Sequence, residues 1–110
     1  MILSNASFAN EIMKCFLKDG SKTYIYFYKL ERNYFSDDKI YRKKEGEWIH
    51  ICPCNKVKNK SVTCNQQWQT QCKNEFGDFV IKDKINMTVD FETYSLNYTG
   101  YGNHDCKLIE

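Results

Sequence analysis

Six cysteines in 110 residues constrain the fold of this chain more than any other feature. An even number of cysteines in a short chain is typical of a disulfide framework, which forms and persists outside the reducing cytosol. Zinc is the competing explanation, but the closest pair, Cys52 and Cys54, has one intervening residue, where structural zinc sites use about two to four. The sequence therefore predicts disulfides rather than a metal site.

Four Asn-x-Ser/Thr sequons indicate the same compartment, at Asn5, Asn59, Asn86 and Asn97. Ten asparagines and twelve Ser or Thr residues would give about one sequon by random placement. The excess favours N-glycosylation of a surface that passes through the secretory pathway. We therefore expect an extracellular chain, either secreted or a cell-surface ectodomain, with glycans at these four positions.

Charge and residue types exclude several classes of function. Sixteen Lys and Arg against 14 Asp and Glu leave a net charge of +2, which lacks the basic stripe of nucleic-acid-binding proteins. No apolar run approaches the ~20 residues that cross a bilayer. His50 and His104 are the only histidines, and the sequence contains no phosphate loop or paired-carboxylate motif beside them. We expect no enzyme activity, no cofactor, no nucleic-acid partner and no direct membrane insertion.

The apolar pattern predicts a single all-β domain spanning residues 1–110. Alternating or aromatic segments separated by turn residues indicate seven or eight short strands, drawn from residues 11–17, 23–30, 39–41, 47–54, 61–64, 79–81, 85–91, 94–98 and 105–109. No segment has a convincing amphipathic helical pattern. We predict a disulfide-stapled antiparallel β-sandwich.

Aromatic residues supply the candidate binding surface. In the strand predicted at 23–30, period two places Ile25 and Phe27 on one face and Tyr24, Tyr26 and Tyr28 on the other. If the first pair faces the core, the three tyrosines line the opposite face of the sheet. Tyrosine combines a large contact area with few rotatable bonds and a polar tip, as in binding hot spots. We predict that these tyrosines bind a protein partner, and coverage by loops or glycans is the competing explanation.

The two ends of the chain resemble an immunoglobulin V-type domain. Cys15 lies on an early strand, an aromatic strand follows about twelve residues later, and Leu96 and Gly102 precede Cys106 by ten and four residues. The segment 72–110 most resembles costimulatory lymphocyte receptors. The resemblance implies a disulfide-stapled immunoglobulin-like sandwich, a Cys15–Cys106 bond across its two sheets, and a partner bound through a sheet face.

This chain departs from the V-type pattern at several positions. Phe27 stands where the family has a tryptophan packed on the disulfide, and a flat apolar ring can fill that place. His104 replaces the tyrosine of the tyrosine corner, and Gly100 replaces an acidic residue. Only four residues follow Cys106, so the pattern lacks its last strand.

The other four cysteines allow three pairings. We favour Cys52–Cys72 with Cys54–Cys64. Cys52 and Cys54 share a face of the strand predicted at 47–54, and the polar turn at 55–60 brings Cys64 back beside that strand.

Two functions fit these features. The first is an extracellular protein-binding module, a receptor ectodomain or a secreted immune modulator, that engages a protein partner through an aromatic sheet face. The alternative is a secreted β-barrel for a small ligand, because segment 28–34 resembles blood-feeder lipocalins. A flat tyrosine face favours the first, and an apolar cavity of at least ~300 Å³ favours the second. A structural disulfide-rich domain without a binding site is a third hypothesis.

Overall fold

The computed structural model of the chain describes residues 10–65, 67–68 and 86–109. These residues form eight strands: β1 (Glu11–Asp19), β2 (Lys22–Glu31), β3 (Lys39–Lys44), β4 (Glu47–His50), β5 (Ser61–Cys64), β6 (Met87–Asp90), β7 (Ser95–Tyr98) and β8 (Gly102–Leu108). The described part of the chain contains no helix, and therefore no helix that is long and apolar enough to span a membrane. The prediction of an all-β domain is confirmed, and the strand predicted at 79–81 lies outside the described residues.

The strands form one antiparallel sheet in the order β4-β3-β2-β1-β8-β7-β6-β5. Turns of two to four residues connect β1 to β2, β3 to β4, β6 to β7 and β7 to β8. Between β3 and β4, for example, Glu45 and Gly46 have φ values of 52° and 83°. Positive φ at both central residues is what a type I′ two-residue hairpin turn requires, and the twist of this turn matches that of the strands.

Strand β8 joins the two halves of the sheet. Its first part pairs with β7, up to Asp105 opposite Ser95, and its second part pairs with β1, starting at Cys106 opposite Cys15. The sheet curls around this junction into a half-barrel, so that the inner faces of β1 to β4 and of β5 to β8 share one apolar core. The core consists of Met13, Cys15, Tyr28, Leu30, Ile40, Ile51, Cys52, Val62, Cys64, Met87, Val89, Phe91 and Leu96.

The Cys15–Cys106 disulfide is present, and it lies at the junction of the two halves. The two cysteines are direct register partners on neighbouring strands, with their Cα atoms 4.0 Å apart. The immunoglobulin resemblance implied a bond between facing sheets, whereas this bond links two strands that already pair. It therefore locks the β1–β8 ladder in register.

The second disulfide joins Cys52 to Cys64, so the favoured pairing of Cys52 with Cys72 and Cys54 with Cys64 is wrong. That prediction assumed a strand continuing to residue 54, but β4 ends at His50. Cys52 has a φ of 49° and a buried side chain, so it does not follow the alternation of the strand. Cys54 is also disulfide-bonded, and Cys72 lies outside the described residues.

The Cys52–Cys64 bond closes the half-barrel at one end. Cys52 follows β4, and Cys64 ends β5, and these two strands are the opposite edges of the sheet. The backbone N–H of Cys52 also donates to the carbonyl of Gln67, at 2.9 Å. A covalent link and a hydrogen bond thus hold the two edges together where no strand ladder does.

We expect the two disulfides to differ in their contribution to stability. Their sequence separations are 91 and 12 residues, which correspond to about 4 to 5 and about 3 kcal/mol in the chain-entropy model. The free energy of unfolding in urea should fall more in the Cys15→Ala/Cys106→Ala variant than in the Cys52→Ala/Cys64→Ala variant. An equal or reversed order would contradict the assignment of Cys15–Cys106 as the main constraint on the unfolded chain.

Candidate functional site

The tyrosines of β2 lie on the concave face of the sheet, not on the face opposite the core. Tyr28 is 1% exposed and belongs to the core, whereas Ile25 is 47% exposed. The orientation predicted for Ile25 and Phe27 is therefore wrong. The register explains the inversion, because Tyr24, Tyr26 and Tyr28 pair with Leu17, Cys15 and Met13, which are the apolar face of β1.

A cavity of about 250 Å³ opens on this concave face. Five of its lining residues are tyrosines, and they come from both halves of the sheet. The full lining is Leu17, Asp19, Tyr24, Tyr26, Tyr28, Arg42, Tyr98 and Tyr101. The three tyrosines predicted from sequence thus lie together in one cavity, with two further tyrosines that the sequence analysis did not select.

Burial is graded along the cavity. Tyr28 is fully buried, Tyr26 is half-buried, and Tyr24 and Tyr101 are 40% and 47% exposed. The rings of Tyr98 and Tyr101 make an edge-to-face contact with their centroids 5.9 Å apart. The cavity therefore has an aromatic interior and an accessible tyrosine rim.

The turn after β7 positions the tyrosines of the second half. The N–H of Tyr101 donates to the carbonyl of Tyr98 at 2.9 Å, which closes the turn and brings the two rings together. Gly100 and Gly102, on either side of Tyr101, have φ values of 92° and 78°, which L side chains rarely adopt. Glycine at these positions lets the chain reverse without strain while Tyr101 faces the cavity.

Arg42 is fixed in the cavity by ring contacts. Its Cζ atom lies 4.0 Å from the ring centroid of Tyr26 and 5.3 Å from that of Trp68. Such cation–π contacts contribute about 0.5 to 2 kcal/mol each, more when they are desolvated. The register pairs Arg42 with Tyr28 on the next strand, so the guanidinium lies over the tyrosine row.

Gln67 connects Arg42 to the core. Its buried amide lies 3.0 Å from the Tyr28 hydroxyl. With its oxygen toward Arg42, Gln67 accepts from Arg42 Nη1 at 2.8 Å and from Trp68 Nε1 at 3.3 Å, and its nitrogen donates to the Tyr28 hydroxyl. The opposite orientation would face an amide N–H₂ toward two donors, so this one is favoured.

Burial raises the pKa of Tyr28 well above its usual value, and the nearby Arg42 guanidinium opposes part of that rise. The hydroxyl is therefore neutral throughout the physiological range. Tyr28 acts in the cavity as a hydrogen-bonding phenol and not as an anion that could neutralise Arg42.

The convex face of β1 to β4 is basic and aromatic. The register places five lysines and one carboxylate there, namely Lys14, Lys18, Lys29, Lys39, Lys43 and Glu31. Aromatic rings lie between them, and Lys29 Nζ is 4.9 Å from the Tyr41 ring and 5.1 Å from the Trp48 ring. The lysines thus cover rings that are only half-buried, and the uneven charge would accelerate association with an acidic molecule at low salt.

The two histidines lie apart from the cavity lining. His50 lies beside the Tyr41 ring with the centroids 5.5 Å apart, and burial, aided by Lys39, lowers its pKa. The Nε2 atom of His104 is buried and has no hydrogen-bond partner among the described residues. Within residues 10–65, 67–68 and 86–109 no three His, Cys, Asp or Glu side chains are grouped as a metal site would require.

The three sequon asparagines that the structure describes are all exposed. Asn59 lies in the β4–β5 connection, Asn86 directly precedes β6, and Asn97 lies on the convex side of β7 opposite Asn103. None of them lines the tyrosine cavity. The fourth predicted site, Asn5, lies outside the described residues.

Sequence reasoning missed Arg42, Tyr98, Tyr101 and Gln67 as members of the site. Period two in β7 would have placed Tyr98 on the same face as Leu96. No local pattern, however, indicates that β7 lies close to β2, or that Arg42 lies close to either strand. These residues meet because the sheet curls, and curl is not encoded in any one strand.

The Tyr28→Phe variant should be less stable by about 1 to 2 kcal/mol, because the nitrogen of the buried Gln67 amide loses the hydroxyl to which it donates. The measurement is the free energy of unfolding in urea. Tyr24→Phe is the matched control. It removes the same hydroxyl from a 40% exposed ring and should change the stability by less than about 0.5 kcal/mol. A Tyr28→Phe variant as stable as the control would show that the Gln67 bond contributes nothing.

Comparisons with known proteins do not identify a function for this chain. No protein family, no curated protein and no solved structure matches this chain. What the chain does must therefore be inferred from the chemistry and the accessibility of its own surfaces.

Proposed function

We propose that this chain is an extracellular protein-binding module, either a receptor ectodomain or a secreted immune modulator, that engages a protein partner through its concave tyrosine face. The observation that carries the proposal is the cavity in which five tyrosines from two halves of one sheet converge. Tyrosine is the residue type most suited to an adaptable and specific protein contact.

The physical state of the cavity supports a binding role. Its rim tyrosines are accessible, while its interior is held by the Gln67 hydrogen bonds and the packing of Arg42. A surface whose side chains are already fixed loses little conformational entropy when a partner docks. A protruding side chain of a partner would therefore find a preformed pocket rather than a flat patch.

A small-ligand role receives less support from the same cavity. Its volume is about 250 Å³, below the ~300 Å³ at the lower end of ligand pockets. Its lining is rich in hydroxyls and includes Arg42 and Asp19, whereas a barrel for apolar ligands has an apolar interior. The half-barrel shape is the feature that still favours the lipocalin-like alternative.

The relationship to immunoglobulin V-type domains stays a prediction. The all-β fold and the Cys15–Cys106 bond fit it. The direct pairing of β1 with β8 is the feature that a V-type sandwich would have to accommodate. Its functional implication, recognition through a sheet face, agrees with the proposal made here.

The cysteines support an extracellular location. The chain has six of them, and none of those that the structure describes is free. Three exposed sequons add to this argument. Because none lies in the cavity, glycans at these positions would leave the tyrosine face open.

The binding proposal predicts which substitutions abolish recognition. The glycosylated chain, displayed as a tetramer, would be screened against an array of cell-surface ectodomains. We expect at least one to bind, and we expect Tyr24→Ser/Tyr101→Ser to weaken that binding about tenfold or more, as loss of hot-spot residues does. Ile25→Ser is the matched control, because Ile25 is as exposed as Tyr101 but lies on the convex face.

Three results would contradict the proposal. Undiminished binding by the tyrosine variant would place the interface elsewhere, and loss of binding in Ile25→Ser alone would place it on the convex face. A protein that binds no ectodomain but retains a bound small molecule through purification would favour the ligand-carrying alternative.

The glycosylation proposal predicts occupied sites at Asn59, Asn86 and Asn97 when the chain is secreted from animal cells. Enzymatic removal of the glycans in ¹⁸O water, followed by peptide mass spectrometry, would mark each occupied asparagine as ¹⁸O-labelled aspartate. All three side chains are exposed, so the folded protein can accommodate a glycan at each. A secreted protein with unmodified asparagines at these positions would contradict the proposal.

A further inference from the structure

We propose that Arg42 makes the tyrosine cavity selective for a single anionic group, a carboxylate or a sulfate ester, carried on a neutral or aromatic body. This inference rests on the proposed function, because it specifies which part of a partner enters the cavity. It concerns the charge of the cavity and not its tyrosine content.

No carboxylate among the described residues forms an ion pair with Arg42. The ion pairs of the described residues are Arg32–Asp38, Lys56–Asp37 and Lys60–Glu11, and none involves Arg42. Its contact with Gln67 is a hydrogen bond to a neutral amide. A cation held among aromatic rings without a counter-ion is an unusual arrangement, because partial burial of an unpaired charge is costly.

Arg42 also has an unmet hydrogen-bond donor. Its Nε atom is buried and has no acceptor among the described residues, although a guanidinium has five N–H donors in a planar fork. Carboxylates and sulfates match this fork and form short, charge-assisted bonds with it. An anion that reaches the guanidinium would therefore supply both the missing charge and missing acceptors.

The other arginine of the chain has a guanidinium with a purely structural role. Arg32 is the only other arginine, and its Nε lies 3.0 Å from an oxygen of Asp38. Arg42 instead stacks on Tyr26 and Trp68 and lines the cavity. Among the described residues, one arginine is thus paired with a carboxylate and the other is not, so Arg42 can accept a carboxylate or sulfate from outside.

The other end of the cavity restricts the ligand to one anionic group. Asp19 lines that end, and its register partner is Lys22, whereas Arg42 pairs with Tyr28. These backbone levels are six residue steps apart on β2, about 20 Å of strand, and the Arg42 guanidinium reaches over Tyr26, two steps nearer to Asp19. A carboxylate at the far end would repel a second negative charge, so a polyanionic chain is a poor fit. An acidic or sulfated side chain of a protein partner carries one negative charge. That charge would bind Arg42, and no second charge would lie near Asp19.

Nuclear magnetic resonance on arginine-labelled protein tests this directly. With ¹⁵N only in arginine, the spectrum holds two Nε–H signals, one from Arg42 and one from the internal reference Arg32. The probes are N-acetyl-tyrosine-O-sulfate amide, N-acetyl-glutamate amide and the neutral N-acetyl-tyrosine amide, each titrated at constant ionic strength. The first two separate a sulfate source from a carboxylate source.

We expect at least one anionic probe to shift the Arg42 signal saturably and to leave Arg32 unchanged, with affinity at least about tenfold above that of the neutral probe. Arg42→Gln, followed through its backbone amide signals, should lose that preference, and Lys43→Gln should keep it. Lys43→Gln removes one charge from the neighbouring position on the convex face. Its amide spectrum also shows whether a single charge change disturbs the fold.

Equal affinity for the neutral and anionic probes, parallel shifts of both arginines, or no saturable shift would overturn the inference. So would an Arg42→Gln variant that stays folded and keeps the preference. If Arg42→Gln does not fold, Arg42→Lys decides, because it keeps the charge but loses the planar fork and should bind at least about tenfold more weakly.

These results are separable from the proposed function. If an ectodomain binds through Tyr24 and Tyr101 but neither anionic probe nor Arg42→Gln has an effect, the protein-binding proposal stands and the anion inference fails. If the probes bind at Arg42 but no ectodomain does, the anion site stands and the protein-binding proposal fails.

Discussion

The pairing of β1 with β8 is the interaction on which the rest of the structure depends. It joins two sets of strands, β1 to β4 and β5 to β8, in which each strand pairs with the next along the chain, and the Cys15–Cys106 bond lies where the two sets meet. Without that pairing the chain would form two open sheets, each with an apolar face exposed to water. With it, the faces curl toward each other and one core serves both halves. The pairing also brings the residue pairs farthest apart in sequence into contact, which is the entropically expensive step in closing the fold.

The same curl creates the candidate site. A flat sheet would have placed Tyr98 far from Tyr26, because β7 and β2 are separated by two strands. On a curled sheet both side chains reach into one hollow, and a polar residue such as Arg42 can be carried there on a flexible stem. Large rings with polar tips suit the place where the core meets the solvent, because the ring is buried while the hydroxyl finds water or a buried amide. The cavity therefore lies at the boundary between the apolar core and the solvent-exposed surface.

The two faces of the sheet differ in kind. On the convex side the lysines make cation–π contacts with the rings that they cover, and this face presents a net positive charge to solvent. On the concave side the Arg42 guanidinium lies in a largely aromatic lining and has no ion-pair partner among the described residues. The first arrangement favours a long-range attraction for acidic molecules that salt screens, and the second would give the short-range selectivity that we propose for Arg42. The partner that we propose, with one protruding anionic side chain, would use both if the rest of its surface were acidic.

The sequence by itself determined that the described chain forms strands, roughly where most of them lie, and that Asn59, Asn86 and Asn97 are exposed, because these follow from local chemistry. Alternation in residues 11–17 and the aromatic run at 24–28 predict strands whatever they pair with, and turn residues bound them. Only the tertiary structure decided which face of β2 is buried. Ile25 and Tyr28 are both apolar enough for a core, and the partner strand β1 selects the tyrosine side. The pairing of Cys52 with Cys64 likewise depends on where β4 ends and which sheet edges meet. Arg42 and Tyr98 share a cavity because curl and register act over the whole sheet, while sequence patterns report only on neighbours along the chain.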